Sequence, residues 1–148
     1  MIFIDTGAFL ARYLERDEYH GAALRGFTRI QRERLPAATS AHVLDEAITL
    51  LGRWAGHSFA AERARAVLAS RAIRVLRPVE DDEVRALAVF EKYADQGISF
   101  TDAVSIALMR TRRMQEAFTF DRHFALAGFT LWPQTQGREA GRDATACR

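Results

Sequence analysis

Cysteine is almost absent from this chain: among 148 residues only Cys147 is present, in a polar C-terminal stretch. That excludes a disulfide framework and a cysteine-based zinc site. Lysine is equally scarce. Lys92 stands alone, and every other basic residue is arginine. Codon usage and selection for phosphate contacts both produce such a bias, and composition leaves the two open. A charge excess is lacking too: 21 basic residues face 19 acidic ones, a net +2, so charge alone does not indicate nucleic-acid binding. No apolar run approaches the ~20 residues of a membrane span. The opening Met1-Ile2-Phe3-Ile4-Asp5 lacks the basic and longer apolar regions of a secretory signal, so a cytoplasmic location is expected. No internal repeat is visible.

The hydrophobic share of 49% is ordinary for a globular protein, and the length suits one domain with a real core. Ile2–Ile4 reads as a buried strand, followed by a helix over Ala8–Leu14 that Thr6 can cap. Helices follow over Glu18–Arg32, Ala41–Trp54 and Phe59–Ala69. A longer one opens at Asp81-Asp82-Glu83, acids that suit a helix dipole, and runs to Ala94. Short strands are expected at Leu35–Ala38, Ile73–Leu76, Ala117–Phe120 and Gly128–Trp132. Thr39 and Ser40 stand where they can cap the third helix. This alternation predicts an α/β fold: a three-layer α/β/α sandwich with a central, mainly parallel sheet. The folded domain is expected to span 1–133. The polar, Gly-rich stretch 134–148 shows no apolar periodicity and reads as a disordered tail.

The most informative stretch is Ser99–Phe124. Ser99 and Asp102 have the spacing of a capping box. Phe100–Met109 is apolar nearly all round, with Asp102 its only charge, which marks a helix buried on all sides. Asp121 directly follows the next strand-like run, as Asp5 follows the first. In open α/β sheets, sites form beyond the carboxyl ends of the strands. A third acid comes from the middle helix, where Asp45 and Glu46 both flank the apolar face, and helical geometry does not choose between them. Crowded carboxylates repel one another unless a hard divalent cation joins them, and oxygen ligands suit magnesium or manganese. Acids without histidine or cysteine thus point to phosphate chemistry.

These residues resemble the PIN-domain ribonucleases, and among them the VapC-type toxins of bacterial toxin–antitoxin pairs. The resemblance runs from Met1 to about Trp132. It is carried by IFIDTGAFLA, TSAHVLDEAITLL, SFTDAVSIALM and FTFDRHFALAGF, in that order. It implies four site acids, Asp5, Glu46, Asp102 and Asp121, and so selects Glu46 over Asp45. It also places the hydroxyls of Thr6 and Thr101 beside them. The implied activity is a magnesium-dependent endoribonuclease, with manganese as a substitute, that cleaves structured RNA such as transfer or ribosomal RNA. Implied partners are a cognate antitoxin whose C-terminal segment covers the site, and a second copy of the chain in a homodimer.

Asp5 and Asp102 are expected to be the principal metal ligands, since both lie at helix N-termini, where backbone donors organise a carboxylate. Glu46 and Asp121 would complete the site through water or a second ion. Arg12, Arg16 and Arg122 are the arginines expected to meet RNA. Arg110, Arg112 and Arg113 lie at the far end of the buried helix, with the simpler role of complementing its C-terminus. His123 is expected to pack or cap locally. Alternatives within the family are an RNA-processing nuclease without an antitoxin, or a silent module that binds RNA or a partner. Two other folds compete. A receiver domain resembles the acidic pocket, but implies a lysine after a late strand, and Lys92 falls inside a helix. A phosphatase of the haloacid dehalogenase type implies a second Asp two residues after Asp5, where Gly7 stands.

Overall fold

A computed structural model describes residues 1–133; the expected tail at 134–148 lies outside the described residues. Five strands form one sheet: β1 (Ile2–Ile4), β2 (Ala37–Ser40), β3 (Ile73–Leu76), β4 (Glu116–Phe118) and β5 (Thr130–Trp132). Their order is β3-β2-β1-β4-β5, and all four pairings are parallel. Among the described residues seven α-helices flank it: α1 (Thr6–Tyr13), α2 (His20–Glu33), α3 (Ala41–Ala55), α4 (His57–Leu68), α5 (Glu80–Lys92), α6 (Phe100–Thr111) and α7 (His123–Leu126). This is the expected α/β/α sandwich. Among the described residues no helix is long and apolar enough to cross a membrane.

Several element boundaries differ from the sequence reading, each for a local reason. Asp5, not Thr6, occupies the N-cap position of α1, although its side chain makes no capping bond. β2 begins at Ala37 because the carbonyl of Pro36 accepts the Ile2 N–H at 2.8 Å, and the ladder proceeds from there. Thr39 therefore lies within the strand, where its hydroxyl donates to the Ile4 carbonyl at 2.8 Å. Ser40 alone caps α3, accepting from the Val43 N–H at 3.1 Å, a contact worth about 1 kcal/mol. β4 stops at Phe118, freeing Thr119 and Asp121 for side-chain bonds. The short helix α7 lacks a full period of apolar residues, so periodicity does not reveal it.

The core is aromatic around β4. Phe118 is fully buried, its ring centroid 4.9 Å from Phe27 on α2 and 4.9 Å from Trp132 on β5. Gly26 permits this approach: a Cβ there would stand 2.9 Å from Phe118 Cε1. Beneath the sheet's carboxyl edge, α6 is buried at every position from Ala103 to Met109, as expected of a helix without a polar face.

The expected dipole role of Asp82 proves incomplete. Asp82 is buried at the start of α5, accepts the Val79 N–H at 3.2 Å, and receives a bidentate contact from Arg112 at 3.2 and 3.1 Å. Arg112 thus ties α6 to α5 rather than complementing its own helix end. This pairing holds the Asp82 carboxyl below its usual range.

Candidate active site and metal centre

The strand order fixes where a site can form. From β1 the chain steps outward to β2 and β3, then returns to place β4 on the other side of β1. The switch point lies between β1 and β4, and loops that leave there in opposite directions open a crevice. Asp5 follows β1, and Asp121 lies three residues beyond β4. Asp102 enters from the first turn of α6, and Glu46 from α3. Together with Thr6, Gly7, Leu10, Asp17, Tyr19, Leu50, Ser99 and Phe120 these acids line an open cleft of about 400 Å³.

Asp5 is the most constrained of the four. Its backbone N–H donates to the Phe118 carbonyl at 3.1 Å, continuing the β1–β4 ladder one step past the strand. The side chain is buried, and Oδ2 accepts from the Thr119 hydroxyl at 2.9 Å. Oδ1 is buried without a partner. Burial, then the charges of Asp102 and Asp121, push the Asp5 carboxyl up to about 7, against the lowering effect of the Thr119 hydrogen bond. A buried carboxylate oxygen without a donor is costly in a folded protein. A divalent cation relieves both the missing partner and the repulsion, so these residues fit a metal.

The other acids are held ready around it. Asp102 closes the expected capping box: its N–H donates to Ser99 Oγ at 3.0 Å and its Oδ2 accepts the Ser99 N–H at 2.9 Å. Burial raises its pKa. Glu46 Oε2 accepts from the Thr6 hydroxyl at 2.6 Å, whereas Asp45 is exposed. The rotation of α3 thus settles what helical geometry left open. Asp121 accepts the His123 N–H at 2.9 Å, and the His123 ring nitrogen Nδ1 lies 3.1 Å from its Oδ2. Asp102, Asp121 and His123 each offer a ligand atom within 4.8 Å of the others. His123 does not cap the short helix but pairs with Asp121 two residues before it, and so brings an imidazole to a cluster expected to be purely acidic.

Thr119 is the site residue that the sequence reading missed. Its hydroxyl donates to Asp5 and accepts the Asp121 N–H at 3.0 Å, joining two acids. The available signal was a hydroxyl within the apolar run Ala117–Phe120, two residues before an acid. Thr101 stands half-buried on the first turn of α6. Arg16 and Arg122 are exposed. Arg12 is turned away from the acids. Thr6, Gly7 and Leu10 give α1 its cleft face, and two further residues at about 100° each carry Arg12 to the opposite side. There its guanidinium lies 4.3 Å from the Phe27 ring centroid, lining a separate cavity with Tyr13 and Ile30.

Carboxylates gathered at the switch point of a parallel sheet, with a buried oxygen lacking a donor, form an acidic cluster that could hold a divalent metal. Residues 2–129 match the family model of the PIN domain. The chain belongs to the PIN-domain family, among its VapC-type ribonucleases. Over 130 residues it is 38% identical to the 23S rRNA-specific endonuclease VapC20 of Mycobacterium tuberculosis, covering 87% of this chain and 95% of that protein. The crystal structure of VapC20, described as a sarcin–ricin loop cleaving toxin, matches with a TM-score of 0.78 at 37% identity, over 88% of this chain and 97% of that one. VapBC2 from Rickettsia felis, bound to a DNA fragment from its promoter, shares the fold at 12% identity, with a TM-score of 0.64 over 88% of this chain and 97% of that one.

Proposed function

We propose that this chain is a magnesium-dependent endoribonuclease, with manganese as a substitute, and the toxin of a toxin–antitoxin pair. Its substrate class is structured RNA, and a ribosomal RNA loop is favoured by the likeness to VapC20. The carrying observation is Asp5 Oδ1, buried without a partner in a carboxylate cluster. Asp5 and Asp102 are the principal ligands, with Glu46 and Asp121 completing the site. When bound, the metal neutralises these acids and supplies Lewis acidity toward a phosphoryl oxygen.

The chain's own residues supply the rest. Thr119 orients Asp5, Ser99 orients Asp102, and Thr6 orients Glu46. In this reading Glu46 accepts a proton from an attacking water, a role its hydrogen bond from Thr6 supports. Arg16 and Arg122, exposed and next in sequence to the cleft residues Asp17 and Asp121, contact RNA phosphates. The natural partner is a small antitoxin whose tail offers a basic residue to the four acids, and the working form includes a second copy of the chain. Both act in the cytoplasm, where ribosomal RNA is found.

Expression of the chain alone, with and without Asp5→Asn, tests this reading. The wild type should arrest growth and cut RNA in the presence of magnesium; the variant should fold and do neither. A harmless wild type that cuts no RNA with magnesium or manganese would refute it.

A further inference from the structure

At the lip of the acid cleft two aromatic rings lie flat on one another. Tyr19, at the entrance to α2, stacks on Phe120 with centroids 4.4 Å apart and planes 5° from parallel. Tyr19 remains 38% exposed, and both rings line the cleft. Phe120 is bound to the core through Phe118, edge to face at 6.1 Å. It also sits between Thr119 and Asp121, the two residues whose hydrogen bonds set the acids. The Tyr19 backbone is held in turn by its N–H, which donates to Asp17 Oδ1 at 2.8 Å. The stack is thus tied by packing to the segment that carries Thr119 and Asp121, and Tyr19 remains partly exposed beside the cleft.

The geometry points to a base-stacking platform: Tyr19, backed by Phe120, receives an unpaired RNA base and thereby sets which phosphodiester reaches the acids. This inference rests on the ribonuclease reading and adds a specificity-determining residue to it. Aromatic faces accept any base, and the bases of RNA loops are the ones free to be splayed onto them. The Tyr19 hydroxyl adds a donor and acceptor at the wet edge of the platform. Such a platform would favour looped over duplex RNA, whose bases are stacked within the helix.

The test uses an RNA hairpin whose loop adenosines are replaced by 2-aminopurine, bound with calcium in place of magnesium. Wild type should quench the fluorescence. Tyr19→Ala should lose the quench and bind roughly tenfold more weakly, while Tyr19→Phe and Tyr19→Trp retain both. Stabilisation of Tyr19→Ala by magnesium should match wild type, showing an intact fold and metal site. With magnesium, KM for the hairpin should rise more than kcat falls. Quenching and binding by Tyr19→Ala equal to wild type would overturn the platform. A wild type that cleaves the hairpin without quenching overturns the platform alone; one that neither binds nor cleaves RNA overturns the ribonuclease reading as well.

Discussion

Thr119 and Asp5, 114 residues apart in sequence, are joined by a 2.9 Å hydrogen bond inside the protein, with the hydroxyl donating to Oδ2. The same oxygen of Thr119 accepts the Asp121 N–H. One hydroxyl therefore sets the orientation of one acid and the backbone of another. It donates to Oδ2, while Oδ1 is left buried without a hydrogen-bond partner.

Thr119→Val should weaken magnesium binding and cleavage by about 10- to 100-fold, the usual cost of losing a group that orients a metal ligand. Thr119→Ser keeps the hydroxyl and should retain most of the activity. Magnesium titrations of the cleavage rate in the three proteins separate these outcomes. Equal half-saturation in wild type and Thr119→Val would show that the hydroxyl is only structural.

The raised pKa of Asp5 makes the metal-free fold sensitive to pH. In the unfolded chain the carboxyl ionises near its usual value of 3.8, and in the fold near 7. Between these values the native state holds the extra proton, so stability is fully present below about pH 4 and falls as pH rises toward 7. The full shift corresponds to at most about 4 kcal/mol. Denaturant titrations in EDTA should show this decline, Asp5→Asn should flatten it, and magnesium should offset it above pH 7. A wild-type profile that rises from pH 4 to 7 in parallel with that of Asp5→Asn would contradict the assignment.

Glu46 and Asp45 are neighbours with opposite expected effects. Glu46→Gln removes the proposed proton acceptor, to which Thr6 donates, and cleavage should fall by about 100-fold or more. Asp45→Asn, at an exposed position, should stay within about twofold of wild type. Single-turnover cleavage measures both. Equal losses would mean that α3 is rotated from the orientation described.

Arg112→Ala should destabilise the fold by about 2 kcal/mol, because it leaves Asp82 buried without its cation; the partial exposure of Arg112 keeps the loss below that of a fully buried pair. Asp82 has a lowered pKa, so its contribution is present above about pH 4 and disappears as pH falls and the carboxyl protonates. The gap between wild type and variant should close on the acid side. The salt dependence of RNA binding should be unchanged, whereas Arg122→Ala should reduce its slope by about one phosphate contact. A changed slope in Arg112→Ala would give that arginine a place in the RNA interface.

What the sequence determined by itself is local. A short apolar run ending in Asp5, the Ser99–Asp102 capping box, an unbroken apolar helix and Asp121 after a strand-like run are patterns written within a few residues. Each follows from burial, helix capping or strand length. From these the parallel α/β class and three of the four acids are legible. Resemblance supplied the fourth, Glu46, which periodicity could not separate from Asp45, because a helix with acids on both flanks does not reveal its rotation about its own axis. Only the packed structure decided that rotation, turned Arg12 toward Phe27, paired Arg112 with Asp82, and brought Thr119 to Asp5 and Tyr19 to Phe120. These contacts join residues from different elements, and the hydrogen bonds and ring stacks that define them exist only when the sheet and helices are in place. Local hydrophobicity determines which elements form and which faces are buried, while the partner of a buried polar group depends on how distant elements meet.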